Sequence, residues 1–137
     1  MDNLTAKQRA ACMSRIRSKN TKPEMTVRHL LYAMGQRFQV HRHDLPGRPD
    51  IVPRRYRKVI FVHGCFWHIH RCKYGRVKPQ TNREYWERKR QGNVERHRKN
   101  VRALRRMGWQ VLVIWECWTR DPLRLEQRLR SFLEDEI

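Results

Sequence analysis

The chain reads as a single α/β domain, a central mixed sheet flanked by helices. Three observations predict that class. Lys58–His63 (KVIFVH) and Gln110–Trp115 (QVLVIW) have the near-continuous apolar character of buried strands. Segments with apolar residues at helical spacing stand around and between them. The resulting order is helix, three strands, helix, strand, helix, which packs as layers around one core. At 137 residues the chain can bury that core without disulfide staples.

Residues 1–20 are polar and basic, with Met13 and Ile16 as isolated apolar points. They fit two descriptions: a frayed arm, or an arm that folds on DNA and presses Met13 or Ile16 against the bases as a wedge. The first firm helix begins at Thr21. Thr21-Lys22-Pro23-Glu24 has the form of a capping box, Val27, Leu30, Leu31 and Met34 follow at helical spacing, and Gly35 closes the segment. Glu24 therefore has a structural use as the capping glutamate. Phe38–His41 reads as a short strand, and Leu45-Pro46-Gly47-Arg48-Pro49 as a turn that delivers Asp50 to the start of Ile51-Val52. A second turn, Pro53–Arg57, leads into Lys58–His63. Glu84–Met107 is a long basic helix with Val94, Val101 and Leu104 on its apolar side and a Gly92 interruption. Gly108 ends it ahead of Gln110–Trp115. Asp121-Pro122 then starts a final helix whose core face is Leu125, Leu129, Phe132 and Leu133.

Lys and Arg total 32 against 13 acidic residues, a formal net charge of +19. Five Trp and regular apolar segments argue for a packed domain rather than a disordered basic tail. An excess of this size, spread along the chain, points to nucleic acid. No helix pairs a broad apolar face with a basic one, which argues against a membrane surface. With no leader-like segment and no long apolar run, the expectation is a soluble, intracellular protein. In a reducing compartment, its four cysteines suit metal or lone thiols better than disulfides.

The densest stretch is Val59–Cys72 (VIFVHGCFWHIHRC), a strand running directly into potential ligands. Cys65, Cys72 and the distant Cys117 offer thiolates, and His68 and His70 each fit as an imidazole partner, a donor set suited to tetrahedral Zn²⁺. Their other use is as small buried hydrophobes. Cys12 lies in the polar arm, away from this set. Asp50 at a strand start beside a second strand is an arrangement that holds Mg²⁺ in nucleases. Pro-Asp is also an ordinary turn dipeptide. At the matching place on the second strand stand Val62-His63-Gly64 rather than an acid and a lysine. There a backbone carbonyl would serve the metal, with His63 and His68 left for proton transfer. Phe66-Trp67, with Trp86 on the basic helix, fits either core packing or insertion between DNA bases.

Together LPGRPDIV, VIFVHGCFWHIHRC, NVERHRKN and LRRMGWQVLVIWEC resemble the very-short-patch repair (Vsr) DNA mismatch endonucleases. With KQRAACMSRIRSKNTKPE the likeness covers nearly the whole chain. It implies a restriction-endonuclease-like fold, a structural zinc, and Mg²⁺-dependent nicking 5′ of the mispaired T in T:G mismatches left by deaminated 5-methylcytosine. It also implies a monomer acting on mismatched double-stranded DNA, associated with the nucleoid of a prokaryote. Carried over by position, the metal-binding aspartate is Asp50, the essential histidine His68, a second active-site histidine His63, and an active-site carboxylate Glu24. His70 then joins Cys65, Cys72 and Cys117 on zinc. Phe66, Trp67 and Trp86 match intercalating aromatics, and Met13 matches a residue of the wedge arm. The domain boundaries follow as an arm over 1–20 and an endonuclease domain over 21–137.

Two positions depart from the pattern. Val62 stands where Thr occurs, which a main-chain carbonyl ligand tolerates. His97 stands where a carboxylate could orient His68. The rival readings are a same-fold nuclease with another mismatch or duplex target, and a non-catalytic zinc-dependent DNA-binding module. The second leaves Asp50, His63 and His68 without a shared purpose.

Overall fold

The strands form one four-stranded sheet in the order β1 (Phe38–Val40), β2 (Ile51–Pro53), β3 (Lys58–His63), β4 (Gln110–Trp115). A computed structural model describes residues 21–72, 75–76 and 81–134. Met13, Cys12 and the arm over 1–20 lie outside these. β1 with β2 and β2 with β3 run antiparallel, whereas β3 and β4 run parallel, with His63 opposite Trp115 at their ends. The sheet is therefore mixed, as expected. A parallel pair needs a long crossover. The 24-residue helix α2 (Arg83–Arg106) supplies it, after α1 (Lys22–Ala33) and before α3 (Pro122–Glu134).

Strand alternation distributes the side chains between two cores. Ile51, Ile60 and Ile114 pack with Val27 and Leu31 of α1 and with Leu125, Leu129 and Leu133 of α3. Val52, Val59 and Phe61 pack with Leu45 and with Leu104 of α2. Emptying such a position, as in Ile60→Ala, costs roughly 2–5 kcal/mol. Polar groups tie the ends. Thr21 Oγ1 accepts from Glu24 N–H at 3.4 Å, and Asp121 Oδ1 accepts from Arg124 N–H at 3.3 Å. At the far end of β3 from His63, buried Lys58 donates to the carbonyls of Phe132 and Leu133 in the last turn of α3. The two expected helix stops close alike. Gly35 and Gly108 take φ +78° and +90°, and the following N–H groups reach back to Leu31 and Leu104.

Four local expectations change. β4 ends the sheet among the described residues, so only Ile114 in it is fully buried, where a buried strand was expected. β1 stops one residue early because His41 turns to φ +49°. Gly92 does not interrupt α2. The buried residues of α2 are Arg90, Asn93 and Leu104 rather than Val94, Val101 and Leu104, because around Arg90 and Asn93 the helix faces backbone carbonyls of the loop after β3.

Candidate active site and metal centre

Asp50 stands at the mouth of β2, and its largely buried carboxylate accepts from Val62 N–H at 2.7 Å. The Leu45–Pro49 turn places it there, with His41 N–H donating to the Asp50 carbonyl at 3.1 Å. The ring of His41 points inward, its Nε2 lying 2.9 Å from Glu24 Oε2 and 3.0 Å from Oε1. Arg28 Nη1 reaches the same Oε2 at 3.1 Å. The Glu24 carboxylate, expected to close a capping box, is instead held between Arg28 and His41, its side chain 3% exposed. One ligand atom each from Glu24, His41 and Asp50 lies within 4.8 Å of the others. Burial pushes the Asp50 carboxyl up to about 6, a rise that the Val62 N–H restrains, Glu24 adds to, and His41 opposes. A divalent cation suits this site, since it would compensate a desolvated carboxylate beside a second one.

His63, the residue after Val62, stacks on His68 with ring centroids 3.6 Å apart and planes 7° from parallel. His97 of α2 meets His63 edge-on at 4.3 Å. Burial first, then His68 and His97, hold the His63 imidazole far below its usual pKa, which favours its neutral form. His97 is lowered by burial and by Arg105. The three rings line a cavity of about 470 Å³ together with Arg71 and Arg98. Its cationic rim suits an anion.

Cys65, His70, Cys72 and Cys117 bring one ligand atom each within 4.8 Å of one another. The loop after β3 folds tightly to do this, His70 N–H donating to the Cys65 carbonyl at 3.0 Å. Cys117, in the 3₁₀ turn that follows β4, arrives beside it because β3 and β4 are parallel. Its Sγ lies 3.5 Å from His70 Nδ1, near the roughly 3.8 Å or less between ligands of a tetrahedral zinc. His70 also stacks on Trp115 at 4.1 Å. Burial pushes the Cys65 thiol up to about 12, so a thiolate there calls for a cation. The donor set can chelate a metal.

Phe66, Trp67 and Trp86 form a half-buried aromatic cluster, with Trp67 meeting Phe66 at 5.2 Å and Trp86 at 5.7 Å. The inner face of α2 grips the loop beneath them. Arg90 Nε donates to the Phe66 carbonyl at 2.7 Å and its Nη2 to Gly75, while Asn93 Nδ2 donates to Trp67 at 3.2 Å. The Arg90 guanidinium also lies 4.3 Å over the Phe66 ring.

Comparison with known proteins decides the family. The profile described as DNA mismatch endonuclease Vsr matches residues 1–74. A type II nicking enzyme of Xanthomonas oryzae pv. oryzae is 47% identical over 133 residues, covering 97% of this chain and 97% of its own. The DNA mismatch endonuclease Vsr of Escherichia coli is 42% identical over 130 residues, covering 94% and 83%. A type II nicking enzyme of Neisseria meningitidis is 37% identical over 134 residues, covering 98% and 95%. This chain belongs to the Vsr family. It is accordingly a DNA endonuclease, which removes the non-catalytic binding module from consideration.

In this Vsr family member the ligand and acid–base candidates picked from sequence fall into three groups, beside the aromatic cluster of Phe66, Trp67 and Trp86. Glu24 sits with Asp50, His63 with His68, and the three cysteines with His70. The first two groups meet at adjacent residues of β3, Val62 and His63. Sequence reasoning gave no site role to His41, Arg90 or Asn93. The spacing of Arg90, Asn93 and His97 along α2 carried a signal, a polar stripe of helical period, that an apolar search passes over.

Proposed function

We propose that the chain is a Mg²⁺-dependent, strand-specific mismatch endonuclease that nicks 5′ of the mispaired T in T:G mismatches and so initiates very-short-patch repair. We assign it a restriction-endonuclease-like fold, with an arm over 1–20 that orders on DNA and an endonuclease domain over 21–137. The observation that carries the reading is Asp50 fixed on Val62 N–H beside the stacked His63 and His68, at the open ends of adjacent strands. Family membership and its likeness to type II nicking enzymes support the same reaction.

Asp50 binds the cation in this reading. The carbonyl of Val62 joins it, because the N–H and C=O of one strand residue face the same edge and the Val62 N–H already faces Asp50. When bound, the cation neutralises charge on the phosphodiester and its leaving 3′ oxygen. Glu24 fixes the cation side of the site. His68 Nδ1 is buried, so Nε2 is the nitrogen that takes the proton of the attacking water. Neutral His63 stacks against His68 and keeps that ring aimed. Arg71 and Arg98 draw the phosphodiester toward the cavity. The products are a 5′ phosphate and a 3′ hydroxyl.

Cys65, His70, Cys72 and Cys117 would hold a structural zinc, their four donors being the set that a closed tetrahedral site uses. They stiffen the loop that carries both His68 and the probe residues Phe66 and Trp67. Phe66, Trp67 and Trp86 insert at the mismatch, where weak pairing lowers the cost of unstacking by a few kcal/mol at most. Met13 of the arm is the minor-groove wedge. The test is nicking of end-labelled duplexes carrying T:G, U:G, other mismatches or full pairing, with and without Mg²⁺. Cleavage of the T strand, on its 5′ side and only in T:G with Mg²⁺, is expected. Equal cleavage of paired duplex would overturn the specificity.

A further inference from the structure

The Glu24–His41–Asp50 group contains an imidazole that an all-oxygen magnesium site does not need. We propose that His41 Nε2 is a direct ligand of the catalytic divalent cation, beside Asp50 and Glu24, and that it biases the site toward Mn²⁺ over Mg²⁺. The inference rests on the reading that Asp50 holds a cation.

Geometry is the first argument. Neighbouring ligands of an octahedral ion bound at about 2.1 Å stand roughly 3.0 Å apart. His41 Nε2 lies 2.9 and 3.0 Å from the two Glu24 oxygens. Nearly equal approach to both oxygens suits ligand atoms gathered around one centre at least as well as a single directed hydrogen bond. Asp50 belongs to the same group within 4.8 Å.

The backbone is the second argument. His41 leaves the extended conformation of β1 for φ +49°, an uncommon region for a residue with a side chain. Its N–H is fixed to the Asp50 carbonyl, so one short connection sets both the imidazole and the carboxylate. Arg28 engages Glu24 Oε2 at 3.1 Å but leaves Oε1 to the group.

Ligand chemistry supplies the selectivity. Mg²⁺ takes oxygen ligands and keeps several waters, whereas imidazole favours first-row transition ions. Mn²⁺ accepts both carboxylate and imidazole without competing strongly for thiolates. A mixed site of two carboxylates and one imidazole therefore binds it in preference, while the cysteine cluster is undisturbed.

The experiment uses the full chain with its zinc retained and Mn²⁺ as the probe. Electron paramagnetic resonance of free Mn²⁺ gives the affinity, competition gives the Mg²⁺ affinity, and spin-echo modulation detects directly bonded ¹⁴N. Wild type should show imidazole ¹⁴N coupling, and its absence overturns the proposal without recourse to any variant. His41→Asn keeps a residue that tolerates positive φ. It should lose the coupling and about 10-fold or more in Mn²⁺ affinity, with Mg²⁺ affinity much less changed. His68→Gln should keep the coupling. Coupling that survives His41→Asn, or that disappears in His68→Gln, overturns the assignment. Asp50→Asn separates the two levels: Mn²⁺ binding unchanged there refutes the Asp50 reading itself. Loss there together with an unaltered His41→Asn refutes His41 alone.

Discussion

Asp50 and His63 are buried ionisable groups with opposite responses to pH. Burial raises the Asp50 carboxyl from 3.8 to about 6, so the folded protein binds that proton more tightly than the unfolded chain. Relative to Asp50→Asn, the wild type without added divalent cation should lose stability as pH rises from about 4 to 6. Burial lowers His63 from 6.5, so the unfolded chain binds the proton that the fold refuses. Relative to His63→Asn, the wild type should lose stability as pH falls below 6.5. Urea midpoints of the three proteins between pH 4 and 8 check both slopes, and parallel curves would contradict both. Asp50 was legible in the sequence because a Pro-Asp turn announces where a strand begins. His41 was not, because strand periodicity assumes an extended backbone and this residue leaves it. His97 was noticed as a departure from its family, but its edge-on contact with His63 depends on the crossover geometry of α2.

At the scale of elements, the chain was most readable where local signals agree. The cap at Thr21, the glycine stops and the VIFV run each produced the element they predict. What local signals missed was decided by partners. β4 is partly exposed because of its place in the sheet, and the inner face of α2 is polar because loop carbonyls lie beneath it. The loop after β3 links the two kinds of element, since its cysteines join the turn beyond β4 on one side and its carbonyls are held by α2 on the other. Cys117→Ser should therefore loosen the loop and β4 together. A melting temperature lower by about 10 °C is expected, the shift that roughly 3 kcal/mol produces in a domain of this size. Removal of bound zinc by a chelator should produce a similar drop in the wild type and a smaller one in the variant. Unchanged melting of metal-free wild type would remove the structural metal from the account.

At the scale of the molecule, a net charge of +19 sets the background on which specificity operates. Among the described residues no helix is long and apolar enough to cross a membrane. Basic residues that neutralise six or more phosphates would make affinity fall roughly 1,000-fold between 50 and 200 mM salt. Matched and mismatched duplexes should show nearly the same slope, because backbone charge carries no sequence information. Binding isotherms over that salt range test this, and a flat dependence would contradict an electrostatic interface.

The proposed chemistry depends on one carboxylate, placed by a turn and fixed by Val62, the residue before the first of two stacked histidines. Its most direct test is the single-turnover nicking rate of Asp50→Ala on a T:G duplex, measured beside its affinity for the same duplex. The account predicts that nicking is abolished while binding stays within a few-fold of wild type. Nicking retained at a wild-type rate would contradict it.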